Sequence, residues 1–298
     1  MDGFEGYEAA VHAVNGTTIF ARCGGRRDAP PLLLLHGYPQ THALWRRVAQ
    51  RLAADFRLVL VDLRGYGRSA QPAGAPDHGN YSKRTMAADM VALMRALGHT
   101  RFLVAGHDRG ARVAHRLALD HPGAVAKLCV LDIVPTLTMY ERSDQAFAQA
   151  YYHWFFLTQP APLPERLIGA DASWYLRHTL GGWGAGGLAH VEPEALADYE
   201  AGFCHPAGIH AACEDYRAAA SIDLEHDRAS REQGVRIACD LHVLWGERGV
   251  IARLFQPLAD WRAACDGRVS GAALAAGHFL PEEQPERCAD ELRRFFAA

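Results

Sequence analysis

Arg101-Phe102-Leu103-Val104-Ala105-Gly106-His107-Asp108-Arg109-Gly110-Ala111-Arg112 is the stretch that decides the fold. Arg101–Ala105 is a short apolar run that reads as a buried strand, and Gly110–His121 reads as a helix. A strand, then Gly-x-Asp-x-Gly, then a helix is the context of a sharp turn that thrusts its central side chain above a sheet. The glycines permit the tight turn and let strand and helix approach closely. The central residue is Asp108, not serine. A carboxylate attacks only a carbon that bears a leaving group or belongs to a strained ring. Attack leaves an ester on the protein, which water must then cleave. The plainer reading of Asp108 is a helix N-cap, a role that Asp fills well.

Outward from this turn, six more apolar runs read as strands: Thr17–Cys23, Pro31–Leu35, Arg57–Val61, Lys127–Ile133, Asp240–Trp245 and Val269–Ala275. Helical patterns occupy His42–Ala53, Ser82–Leu97 and Pro285–Phe296. Such alternation implies a mostly parallel sheet with helices on both faces. From about Thr138 to Arg236 the rhythm breaks. This stretch is rich in aromatic residues, has helical spacing and shows no clear strand. A length of 298 residues allows two domains of about 150 residues or one domain with an insertion. The alternation resumes at Asp240, so the expected organisation is one α/β core (1–137 and 237–298) interrupted by a helical cap insert (138–236).

Composition excludes several classes. Lys and Arg number 31 against 34 Asp and Glu, a net charge of −3, whereas a general nucleic-acid binder carries a basic face. The longest apolar run, Pro30–Leu35, is far short of the roughly 20 residues that span a bilayer. The acidic N-terminus lacks the order of a signal peptide. Seven scattered Cys, with no CxxC pair and no zinc spacing, fit a reduced cytoplasmic interior and no metal site. Most of the 16 His are expected to face solvent.

Three further motifs surround Asp108. His36-Gly37-Tyr38-Pro39 follows the strand Pro31–Leu35, where the backbone N–H of Tyr38 joins that of Arg109 in an oxyanion hole. Gly277-His278-Phe279 follows the last strand, so His278 is the candidate base. The acid is the informative departure. Trp245-Gly246-Glu247-Arg248-Gly249 has Gly where a W-G-x-x-D pattern has Asp. Asp132, in the apolar run Leu131-Asp132-Ile133, is the candidate instead, with Glu247 the runner-up. Arg109 and Arg112 share a face of the helix's first turn, where cations oppose the helix dipole. A clamp on a substrate carboxylate explains them; the plainer reading is a pair of surface salt bridges.

On these residues the chain resembles the α/β-hydrolase superfamily over its whole length, and more closely the haloacetate (fluoroacetate) dehalogenase family. The resemblance rests on His36-Gly37-Tyr38-Pro39-Gln40, Asp62-Leu63-Arg64-Gly65-Tyr66-Gly67-Arg68-Ser69, the Asp108-Arg109-Gly110-Ala111-Arg112 run, Asp132 and Gly277-His278-Phe279-Leu280-Pro281-Glu282-Glu283. The first two motifs are shared with epoxide hydrolases. The resemblance implies an α/β-hydrolase fold with an eight-stranded sheet and an inserted helical cap. It implies halide-binding cap residues His153, Trp154 and Tyr216, and a homodimer. It implies cofactor-free hydrolysis of 2-haloacids to 2-hydroxy acids, with halide as co-product and an ester on Asp108 as intermediate. Tyr38 departs from the family, where many members carry an apolar aromatic. The competing readings are an epoxide hydrolase, with Tyr140, Tyr151 or Tyr175 protonating the ring oxygen, and a non-catalytic small-molecule receptor on the same fold.

Overall fold

The computed structural model describes residues 3–297. The expected core limits at Met1 and Ala298, and the first residues of the acidic N-terminus, lie outside the described residues. Eight strands form one sheet: β1 (Glu8–Val14), β2 (Thr17–Gly25), β3 (Pro31–Leu35), β4 (Arg57–Val61), β5 (Phe102–His107), β6 (Val125–Leu131), β7 (Leu241–Gly246) and β8 (Val269–Leu274). Their order is β1-β2-β4-β3-β5-β6-β7-β8. β1 and β2 join antiparallel at one edge and the others run parallel.

The central strands are buried on both faces, which is why they read as unbroken apolar runs. Leu33, Leu35, Val59, Val61, Val104 and Val130 face one core, under the helices α2 (Lys83–Ala96) and α3 (Asp108–Asp120). Leu32, Leu34, Leu58, Leu60, Leu103 and Leu131 face the other, under α1 (Arg46–Leu52) and the C-terminal helix Pro285–Ala297. The register aligns Leu35 with Gly106, His107 with Leu131, Leu131 with Leu244, and Gly246 with Leu274. The loops that carry Tyr38, Asp108, Asp132 and His278 therefore emerge together at the carboxyl ends of the parallel strands, where open α/β sheets place their ligands.

Several expected limits shift. The helix expected over His42–Ala53 is a 3-10 turn, His42–Trp45, capped by the Thr41 side chain, followed by α1. The elbow helix begins at Asp108 rather than Gly110. β6 ends at Leu131, and Asp132 leaves it in the left-handed region at φ +55°. Between β6 and β7, helices run from Thr136 to Glu232. That stretch also holds a four-residue strand, Ala185–Leu188, outside the main sheet. There the glycines Gly184, Gly186 and Gly187 disfavour helix. Most histidines were expected to face solvent, yet His36, His42, His107, His115, His153, His242 and His278 are buried; of the other nine, eight are half-buried and His178 is exposed. The seven cysteines are free thiols. Among the described residues, no helix is long and apolar enough to cross a membrane.

Candidate active site

Asp108 sits between β5 and α3 with φ +46°, a strained conformation for a residue with a side chain. The glycines around it make that turn possible. A Cβ on Gly106 would lie 2.6 Å from the Gly110 carbonyl oxygen, and one on Gly110 would lie 2.3 Å from the His36 carbonyl oxygen. A Cβ on Gly37 would lie 2.5 Å from Asp108 Cβ. The absence of side chains thus lets the first motif loop close on the carboxylate, and the Tyr38 N–H donates to Asp108 Oδ1 at 3.0 Å. The Arg109 N–H belongs to the first turn of α3, where amides have no intrahelical acceptor.

His278 Nδ1 lies 2.6 Å from Asp132 Oδ2, and Asp132 Oδ1 accepts the Gly246 N–H at 2.9 Å. This contact fixes the tautomer, with the proton on Nδ1. Nε2 then lies 3.9 Å from Asp108 Oδ2, beyond hydrogen-bond reach and free to accept a proton. Two contacts hold the His278 loop. His107 Nε2 meets the His278 carbonyl at 2.8 Å, and the His278 N–H donates to Trp183 O at 3.0 Å. Glu247, the runner-up acid, is exposed.

Arg109 and Arg112 are both buried, so neither forms the surface salt bridge of the plainer reading. The Arg109 guanidinium donates to Asp215 through Nε (2.9 Å to Oδ2) and Nη2 (2.8 Å to Oδ1), and lies 4.2 Å from the Tyr216 ring centroid. Among the described residues, Arg112 has no carboxylate partner. Its Nη1 donates to Thr136 Oγ1 at 3.0 Å, and its guanidinium lies 4.7 Å from the Trp154 ring centroid. His153 stacks on Tyr38 and packs 4.2 Å from Trp183 and 5.5 Å from Tyr216, measured between ring centroids. Four buried polar atoms in this group have no protein partner: Arg109 Nη1, Arg112 Nε, His153 Nδ1 and Tyr216 Oη. Buried polar atoms rarely go unsatisfied, so such a cluster marks a place built for a polar ligand.

The family describing the alpha/beta hydrolase fold matches residues 30–285. Fluoroacetate dehalogenase of Burkholderia sp is 46% identical to this chain over 294 residues, covering 99% of the chain and 95% of the relative. The chain belongs to the haloacetate dehalogenase family of alpha/beta hydrolases. A solved structure of an alpha/beta hydrolase from Nostoc sp PCC 7120 superposes with a TM-score of 0.95 at 53% identity, covering 98% of this chain and 99% of that one. Soluble epoxide hydrolase of Corynebacterium sp. (strain C12) is 31% identical over 90% of both chains.

The electrostatics of this alpha/beta-hydrolase site follow from its burial. Burial alone would raise the Asp108 carboxyl, but His278, Arg112, His107 and Arg109 outweigh it and hold the carboxyl at about 2. Burial opposes the charged form of His278 as well. The hydrogen bond and charge of Asp132, with the charge of Asp108, prevail and raise it above an ordinary imidazole. Burial drives His153 far down, so its ring is neutral. Sequence reasoning missed Asp215 as the anchor of Arg109, although Asp215 stands beside Tyr216. It also missed Thr136 and Trp183, which no local motif marks, and the role of His107 inside the elbow motif; only the fold brings their partners to the site.

Proposed function

We propose that the protein hydrolyses 2-haloacids such as fluoroacetate or chloroacetate to the 2-hydroxy acid, with residues 138–236 acting as the cap. Arg109 Nη1 and Arg112 Nε receive the substrate carboxylate; hydrogen bonds to charged groups contribute about 1.5–3 kcal/mol each. Asp108 displaces halide by in-line attack on the α-carbon, forming an ester. His153, Trp154 and Tyr216 hold the departing halide, whose developing charge is the chief barrier for fluoride. His278, oriented by Asp132, takes a proton from water as that water attacks the ester carbonyl. The N–H groups of Tyr38 and Arg109 hold the resulting oxyanion; one such donor is typically worth about 2.7–4 kcal/mol.

The observation that carries this reading is the ring of unpartnered buried polar atoms, Arg109 Nη1, Arg112 Nε, His153 Nδ1 and Tyr216 Oη, around an ionised carboxylate. Those atoms suit an anion with two negative ends, one permanent and one developing. The second reading, an epoxide hydrolase, draws on the 31% identical relative and on Tyr140, whose buried hydroxyl has no partner. A neutral epoxide, however, gives Arg109 Nη1 and the Arg112 guanidinium no anion to bind. Halide release decides between them. The protein is expected to free halide and glycolate in equal amounts from chloroacetate, and Asp108→Asn to abolish both. Ring opening of a neutral epoxide without halide release from any haloacetate contradicts the proposal.

A further inference from the structure

A cavity of about 200 Å³ runs from the surface to the candidate base. Its inner wall is buried and consists of Tyr151 and His278, with the half-buried Trp183 beside them. These rings adjoin the candidate halide site: the Tyr151 and Trp183 ring centroids lie 5.3 and 4.2 Å from that of His153. The outer wall is exposed. On one side it is the strap Gly182-Trp183-Gly184-Ala185, and on the other it includes Arg248 and Arg253.

The charges at this mouth are one-sided. Among the described residues, the Arg248 side chain donates only to the Ala275 carbonyl, at 2.7 Å. Arg253 forms no hydrogen bond or ion pair among the described residues, yet its charge reaches Tyr151 on the inner wall. No Asp or Glu lines the passage. Glu283, behind the strap, is engaged by the amides of Ala185, Gly277 and Phe279 at 2.8–3.0 Å. Those bonds pin the strap to the His278 loop. A narrow cleft lined by one sign of charge concentrates counter-ions and speeds their capture.

We propose that this passage is the route by which the haloacid anion enters and the hydroxy acid anion leaves, and that Arg248 and Arg253 select anions at its mouth. The proposal rests on the anionic substrate of the proposed function. The experiment therefore carries one arm that needs no turnover. In that arm, quenching of Trp183 fluorescence is taken as the difference between otherwise matched proteins with and without Trp183→Phe. The passage predicts that Arg248→Gln with Arg253→Gln reduces quenching by iodide about three- to tenfold and leaves quenching by neutral acrylamide unchanged. Gly182→Phe tests the route itself, because Gly182 lines the passage and a Cβ there meets nothing within 4 Å; both quenchers should then lose access to Trp183. In the second arm, stopped-flow binding of chloroacetate to the Asp108→Asn protein should show a similar fall in association rate in the double arginine variant, with the dissociation constant within about twofold. Equal iodide quenching with and without the two arginines overturns the anion selection. Undiminished quenching by both probes in Gly182→Phe overturns the route. Failure of chloroacetate to bind at all, with the iodide effect present, counts against the proposed function and not against the passage.

Discussion

The charge on His278 is set by neighbours that change during the reaction. The free site raises this imidazole, partly through the negative charge of Asp108. Ester formation removes that charge, so the proposed mechanism delivers a more readily deprotonated base at the step that needs one. Asp108→Asn imitates the uncharged ester. NMR titration of this variant should find the His278 pKa below that of the wild type, and an unchanged or higher value contradicts the coupling. Arg109 depends on Asp215 in the same direct way, because Asp215 also pairs with Lys83 and accepts the Tyr66 hydroxyl at 2.6 Å. Asp215→Asn leaves buried cations short of a counter-charge, which typically costs about 3–5 kcal/mol. Denaturant unfolding should show that loss, and KM for chloroacetate should rise more than kcat falls. A KM equal to wild type would remove Arg109 from the carboxylate site.

At the scale of elements, the parallel strands were legible because burial on both faces leaves an unbroken apolar run. β1 was not legible. Its sequence, Glu-Ala-Ala-Val-His-Ala-Val, lies mostly exposed at the sheet edge and carries no such run. The elbow was legible because its needs are local: two glycines, a central nucleophile, and a strand and helix on either side. Asp132 stood out as a carboxylate in an apolar run, but its left-handed backbone did not show in the sequence. The partners from the helical stretch, Asp215 and Trp183, were illegible because Asp215 meets Arg109 across 106 residues of chain and Trp183 meets His278 across 95. The close packing of the elbow is itself testable. Gly110→Ala forces a Cβ to 2.3 Å from the His36 carbonyl oxygen, a backbone atom with little freedom to move. Overpacking of this kind costs about 1–3 kcal/mol. Thermal unfolding should register that loss together with a marked fall in kcat, and wild-type values for both contradict the packing account.

Across the whole molecule, a buried group ties the helical stretch to both motif loops. Glu282, beside the His278 loop, accepts Gln40 Nε2 at 2.7 Å and the Tyr199 hydroxyl at 2.8 Å. Gln40 follows the Tyr38 loop, and Tyr199 lies on the helix Pro193–Phe203. Burial outweighs these hydrogen bonds and pushes the Glu282 carboxyl up to about 8 from an ordinary 4.5. The fold therefore holds a proton that the unfolded chain releases. Its stabilising effect is complete below pH 4.5 and is lost as pH rises towards about 8. Glu282→Gln keeps the neutral shape. Its Tm should match the wild type near pH 5 and exceed it increasingly towards pH 9; parallel Tm profiles contradict a protonated Glu282. The proposed chemistry runs through Asp108, and the source of the product's oxygen tests it most directly. In a single turnover of chloroacetate with excess protein in water enriched in oxygen-18, the account predicts unlabelled glycolate and label in the Asp108 carboxylate. Label in the glycolate from that first turnover would mean that water attacks the substrate carbon itself, and would contradict the ester.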